Sequence, residues 1–196
     1  MRPAPRNGEI LARDRTLSLD KALLGWPFVG MPLMVLLGHS VRDGATPVDG
    51  WFQRGTGGAL NSLVLLTDAG TAKTMLAAAV VVAVARRLWA LVPMIIGVPL
   101  VAVLATEVLK PWFGRMKGTD LAYPSGHTTV MIVVIGMLVL AVGVRRWVLL
   151  AAAVFAVLGI VGQSVTYHYF TDAMGSVLLG SSLVCLTAGL MRRLRL

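Results

Sequence analysis

The stretch Tyr123-Pro124-Ser125-Gly126-His127 opens an apolar run that continues to Val144. Serine before glycine makes a natural helix start, because the hydroxyl can accept a hydrogen bond from a first-turn N–H. The run behind it approaches the roughly 20 apolar residues that a helix needs to cross a bilayer. Runs of the same character lie at about Ala22 to Gly38, Ala72 to Ala85, Leu88 to Leu109, Trp147 to Val165 and Ala173 to Met191. The expected fold is all-α: a polytopic membrane protein with a six-transmembrane-helix bundle over residues 21–196, preceded by a partly disordered cytoplasmic tail, residues 1–20.

Composition points the same way. The 196 residues are 57% hydrophobic and 14% charged, with a mean hydropathy of +0.79, which excludes an ordinary soluble domain. A formal net charge of +9 could suit nucleic acid. Its distribution argues against that partner, because the arginines sit between apolar runs, as Arg86-Arg87, Arg145-Arg146 and Arg192-Arg193-Arg195. Such clusters mark cytoplasmic loops, so both termini are expected in the cytoplasm of a cell inner (plasma) membrane. Trp89 and Trp147 then fall at the inner interface and Trp51 and Trp112 at the outer one. A cleavable leader is not expected, since the first apolar run follows a polar stretch and has no small-residue cleavage site. Cys185 is alone and reads as a packing residue.

Every residue with catalytic potential falls on the other face, outside the membrane. Phosphoryl transfer needs cations or N–H donors for the non-bridging oxygens, a nucleophile, and an acid for the leaving oxygen. Lys110, Arg115 and Lys117 are candidate phosphate-binding cations, and Ser125 and Gly126 candidate oxyanion receivers at a helix start. His127 is the candidate acid. His168 can attack phosphorus through one ring nitrogen if the other donates to a carboxylate, and Asp172, four residues on, is the candidate. No Asp, Glu or His cluster elsewhere suggests a metal site, so neither metal nor cofactor is expected.

The blocks Lys110-(six residues)-Lys117, Pro124-Ser125-Gly126-His127 and His168-(three residues)-Asp172 resemble the three signature motifs of the type 2 phosphatidic acid phosphatase superfamily. The resemblance covers about Ala72 to Leu190. It implies a six-helix membrane enzyme that dephosphorylates lipid phosphates or diphosphates without metal, through a phosphohistidine. It also implies His168 as nucleophile, Asp172 as its orienting carboxylate, His127 as general acid, and Lys110, Lys117, Ser125 and Gly126 as phosphate ligands. Two positions depart from the pattern. Lys117-Gly118 stands where the family has Arg-Pro, and Gly162 stands where it has an arginine. Arg115 could compensate for the first, and Gln163 or Tyr167 could donate in place of the second.

The activity expected is hydrolysis of a lipid phosphate, polyprenyl-linked rather than glycerolipid by analogy alone. A lipid phosphotransferase and a non-catalytic lipid-phosphate binder are the alternatives. Partners are the lipid substrate and membrane lipids, with homo-oligomer formation left open. Glu107 is expected to hold Lys110 in place, and His39 to be interfacial. Asp68 and Asp120 are expected as caps or loop residues, and Gly175 and Gly180 to Ser182 as a packing surface. Pro93 and Pro99 should kink the third span, and Pro111 should stop it.

Overall fold

The computed structural model describes residues 7–54, 58 and 60–193, with side chains from residue 21 onward. Among the described residues the chain forms α1 (Asn7–Ser40), α2 (Pro47–Arg54), a 3-10 segment (Asn61–Thr67), α3 (Ala69–Ala85) and α4 (Val92–Phe113). A two-stranded hairpin follows, β1 (Met116–Lys117) with β2 (Asp120–Leu121), then α5 (Gly126–Val142), α6 (Arg146–Val165) and α7 (Phe170–Arg193). Helix α1 begins inside the stretch expected as a tail. Arg2, Arg6 and Arg195 lie outside the described residues.

Five segments are long and apolar enough to cross a membrane: Lys21–Ser40, Asn61–Ala85, Val92–Phe113, Arg146–Val165 and Phe170–Arg193. Helix α5, equally apolar, has only 17 residues, or about 25 Å at 1.5 Å per residue. It is the central helix, packed on α3, α4, α6 and α7. Its face toward α3 and α4 meets small residues, Ala79, Ala83 and Ala102, beneath Val133, Met137 and Ala141. Small side chains of this kind let helices approach closely where lipid supplies no hydrophobic drive. Large apolar side chains such as Phe28, Leu104, Val108, Leu150 and Val157 point outward, which suits a multi-pass membrane protein.

Local chemistry explains the helix ends. Asp68 caps α3 by accepting from the Thr71 N–H at 2.6 Å, and Ser125 caps α5. Pro111 does not stop α4. The helix runs on to Phe113 and ends at Gly114, whose φ of 64° is left-handed and whose N–H reaches the Lys110 carbonyl. Proline there forfeits a single N–H bond, and the turn that follows is set by a glycine, the residue that enters this conformation without a Cβ clash. Pro93 sits in the first turn of α4, where an N–H has no helical partner to lose.

The two ends of the bundle differ in charge and shape. At one end Arg86 donates to the Ala141 and Val142 carbonyls, so the α3–α4 and α5–α6 turns meet there. The opposite end gathers α2, the 3-10 segment, the hairpin, the start of α5 and the α6–α7 turn.

Candidate active site

Lys110, in the last turn of α4, faces the first turn of α5. A Cβ built on Gly126 would lie 3.8 Å from Lys110 Nζ and 3.6 Å from Thr106 Oγ1. The ammonium therefore stands over a helix N-terminus, whose first N–H groups lack intrahelical partners and carry partial positive charge. Lys110 also pairs with Glu107 at 2.7 Å, as expected. The hairpin holds Lys117 on the facing wall, where Nζ donates to the His168 carbonyl at 3.0 Å and lies 5.0 Å from the centre of the Tyr169 ring. Burial pushes the Lys117 ammonium below the usual lysine range, against the opposing pull of Asp172 and Asp49.

These groups enclose a cavity of about 670 Å³ whose walls include Glu107, Lys110, Lys117, Gly126, His127 and His168. Four of them, Glu107, Lys110, Gly126 and His127, also border a second cavity of about 480 Å³ between α3, α4 and α5. The remainder of that wall is largely apolar, with Leu76, Leu100, Val103, Val130 and Val134.

His168 sits in the short turn between α6 and α7. Its Nδ1 lies 3.1 Å from the Ala122 carbonyl oxygen, and the Asp172 carboxylate is farther, at 3.8 Å. A carbonyl only accepts, so Nδ1 carries the hydrogen and Nε2 keeps its lone pair. The orienting contact expected from Asp172 thus comes from the Ala122 backbone. The reason is that the Asp172 carboxylate is already engaged: one oxygen accepts from Arg115 at 2.5 Å, the other from the Tyr169 N–H at 3.0 Å. The latter bond closes the start of α7 in the manner of a capping box.

Arg115 differs from expectation. It is fully buried (0% exposed), as are its partners Asp49 and Asp172. Nη1 donates to Asp172 and to the Thr171 hydroxyl, while Nη2 donates to Asp49 at 2.9 Å and to the Gly44 carbonyl at 2.8 Å. With both terminal nitrogens engaged, it does not border the cavity. Ser125 is likewise buried, its hydroxyl engaged by the Thr128 N–H and hydroxyl. Of the expected phosphate ligands, Lys110, Lys117 and Gly126 border the cavity, and Arg115 and Ser125 shape it from behind.

Gly162 has a local explanation. A Cβ there would come 2.5 Å from the backbone of Leu63 and Val64, so the 3-10 segment crosses α6 where any side chain would stand. Gln163 beside it is buried and donates to Thr67. Tyr167 borders the cavity, and of the two expected substitute donors it is the one placed there. His39 packs edge-on against Trp112 and Phe113, away from the cavity. Gly175 passes directly against the Tyr123 ring, a packing role as expected.

Asp49 and Thr171 are the partners of buried Arg115 that the sequence reading missed. Thr46-Pro47-Val48-Asp49 carries a legible signal, a capping box with proline in the first helical position. Asp49 Oδ2 accepts from the Thr46 N–H at 2.9 Å, and the Asp49 N–H reaches the Thr46 hydroxyl at 3.3 Å. Burial would raise the Asp49 carboxyl, but hydrogen bonds from Thr171 and Thr46 outweigh it and hold the group below its usual range. Comparison with protein-family models, curated proteins and solved structures finds no match to this chain.

Proposed function

We propose that the protein is an integral membrane phosphatase of the type 2 phosphatidic acid phosphatase kind, hydrolysing a lipid phosphate or diphosphate through a phosphohistidine. The observation that carries this reading is the meeting of Lys110, Lys117, His127 and His168 around one cavity at the start of α5, with His168 Nε2 free of the bond that holds Nδ1. The apolar neighbouring cavity supports a lipid over a soluble ester.

In the first step His168 Nε2 attacks phosphorus. The N–P bond forms as the P–O bond to the leaving oxygen breaks, and protonated His127 gives that oxygen its proton. Lys110, Lys117 and the first N–H groups of α5 hold the non-bridging oxygens, supplying the positive charge that this transfer requires. Water then attacks phosphorus and gives a proton to His127. The N–P bond breaks, its electrons return to Nε2, and inorganic phosphate leaves.

We read six spans, with α5 as the fourth, both termini cytoplasmic and the cavity on the outer side of the plasma membrane. Support comes from Arg86, Arg87 and Arg145 in the two turns that meet opposite the cavity, with Arg146 opening α6 beside them, the arrangement of cytoplasmic loops. The substrate we favour is a polyprenyl phosphate or diphosphate. Phosphate release by the detergent-purified protein from polyprenyl and glycerolipid phosphates, with a chelator present, tests the reading. Release that His168→Ala abolishes is expected. No release from any lipid, or equal release by the variant, contradicts hydrolysis, and release only with an added hydroxyl acceptor assigns a phosphotransferase.

A further inference from the structure

The buried ion cluster behind His168 contains more negative than positive charge. Asp49 and Asp172 share one cation, Arg115, and none of the three side chains reaches solvent. Thr171 ties Asp49 to the shared cation: its N–H and hydroxyl donate to Asp49, and the hydroxyl also accepts from Arg115. With Asp172 alone the guanidinium would cancel the carboxylate nearest His168. With Asp49 present, Arg115 is divided between two carboxylates and a surplus negative charge stays buried. Two buried carboxylates on one guanidinium need counter-charge from beyond Arg115, and Lys117 already feels the pull of both Asp172 and Asp49. The groups at the open side of Asp172 are the His168 ring, 3.8 Å away, and the Lys117 ammonium, held on the His168 carbonyl.

We infer that Asp49 is a positioning residue for the nucleophile: it takes one of the two terminal nitrogens of Arg115 while Asp172 holds the other, so that Asp172 is left with charge to stabilise the positive charge His168 acquires on forming the N–P bond. This rests on the phosphohistidine reading above. Asp49 reaches the site from outside the membrane-spanning helices. Helix α2 presents Trp51 and Val48 outward and turns Asp49 inward, and Phe52 stacks on Phe170 at the start of α7, 4.4 Å between centroids. The same short helix therefore fixes the carboxylate and the first turn of α7, which carries Asp172.

The charge can be separated from the packing. Asp49→Asn keeps the side-chain shape and can still accept from the Thr171 N–H, but removes the surplus charge. Thr46→Val removes a hydroxyl bonded to Asp49 and leaves every charge in place. Steady-state phosphate release from a short-chain polyprenyl phosphate, orthovanadate affinity by calorimetry, and Tm are measured for both variants and the wild type. Asp49→Asn is expected to lower kcat about 10- to 100-fold, the usual loss for an outer partner of an active-site group, with KM little changed and vanadate bound more weakly. Thr46→Val should lower Tm comparably while kcat stays within about twofold, since no charge near His168 changes. Equal kcat losses in both variants, or an unchanged kcat in a folded Asp49→Asn, overturn the role assigned to Asp49. Should Asp49→Asn not fold, Asp49→Glu takes its place: retention of charge should retain kcat, and a loss of the Asp49→Asn size overturns the inference. A wild type that neither releases phosphate nor binds vanadate overturns the phosphohistidine reading itself, and the inference with it.

Discussion

His168 Nδ1 and the carbonyl oxygen of Ala122 lie 3.1 Å apart, which ties the ring between α6 and α7 to the segment that leads from β2 into α5. Ala122 N–H in turn donates to the Arg115 carbonyl at 2.8 Å, so one backbone segment joins the buried arginine to the histidine. The geometry fixes the tautomer. In the neutral ring Nδ1 is protonated, and ¹⁵N resonances of labelled histidine should show this tautomer for His168. A predominance of the Nε2-protonated form would contradict it.

Lys110 and Gly126 lie on the cavity wall that we propose binds phosphate. Lys110→Met should lower kcat/KM about 100-fold, the scale of removing one donor from an oxyanion site, with Tm little altered because the partner Glu107 is 62% exposed. Gly126→Ala places its methyl 3.6 Å from Thr106 and 3.8 Å from Lys110, ordinary van der Waals contacts. The variant should fold normally while losing kcat/KM, as measured by phosphate release beside a thermal melt.

Gly162 makes the opposite case. Gly162→Ala sets a Cβ 2.5 Å from the Leu63 and Val64 backbone, and backbone cannot swing aside as a flexible side chain would. Overpacking of this kind costs about 1–3 kcal/mol, so Tm should fall. Gly162→Arg should destabilise the protein further and restore no phosphate ligand, because the position faces the 3-10 segment.

Much of the fold was legible in the sequence because long apolar runs have few alternatives in lipid. The α5 run was read within two residues of its ends, since Ser125 signals the start; the reading to Val144 ran past Gly143, the glycine at which the helix ends. Pro111 misled, because a proline near a helix end loses only one bond, and Gly114 decides where α4 stops. The cavity residues Lys110, Lys117, His127 and His168 were legible from chemistry and spacing. The role of Arg115 was not: its two carboxylates come from residues 66 and 57 positions away. A cation near a motif looks the same in sequence whether it meets substrate or is buried behind it.

The Asp49 carboxyl lies below its usual range in the folded protein, so its contribution to stability is fully present above about pH 4, the ordinary carboxylate range. It is lost as pH falls through the lowered folded value. Asp49→Asn lacks this contribution at every pH. The Tm gap between wild type and variant should therefore be widest near neutrality and narrow below about pH 4. A gap that stays constant through the acid range would show that Asp49 is not ionised in the folded protein.

Rapid acid-free quenching of the detergent-purified protein with a ³²P-labelled polyprenyl phosphate or diphosphate, chelator present, tests the central claim most directly. A base-stable, acid-labile label on the peptide carrying His168, attached at Nε2 and absent from His168→Ala, is expected. Phosphate release with no labelled protein at any time point, or a label retained in His168→Ala, would contradict transfer through His168.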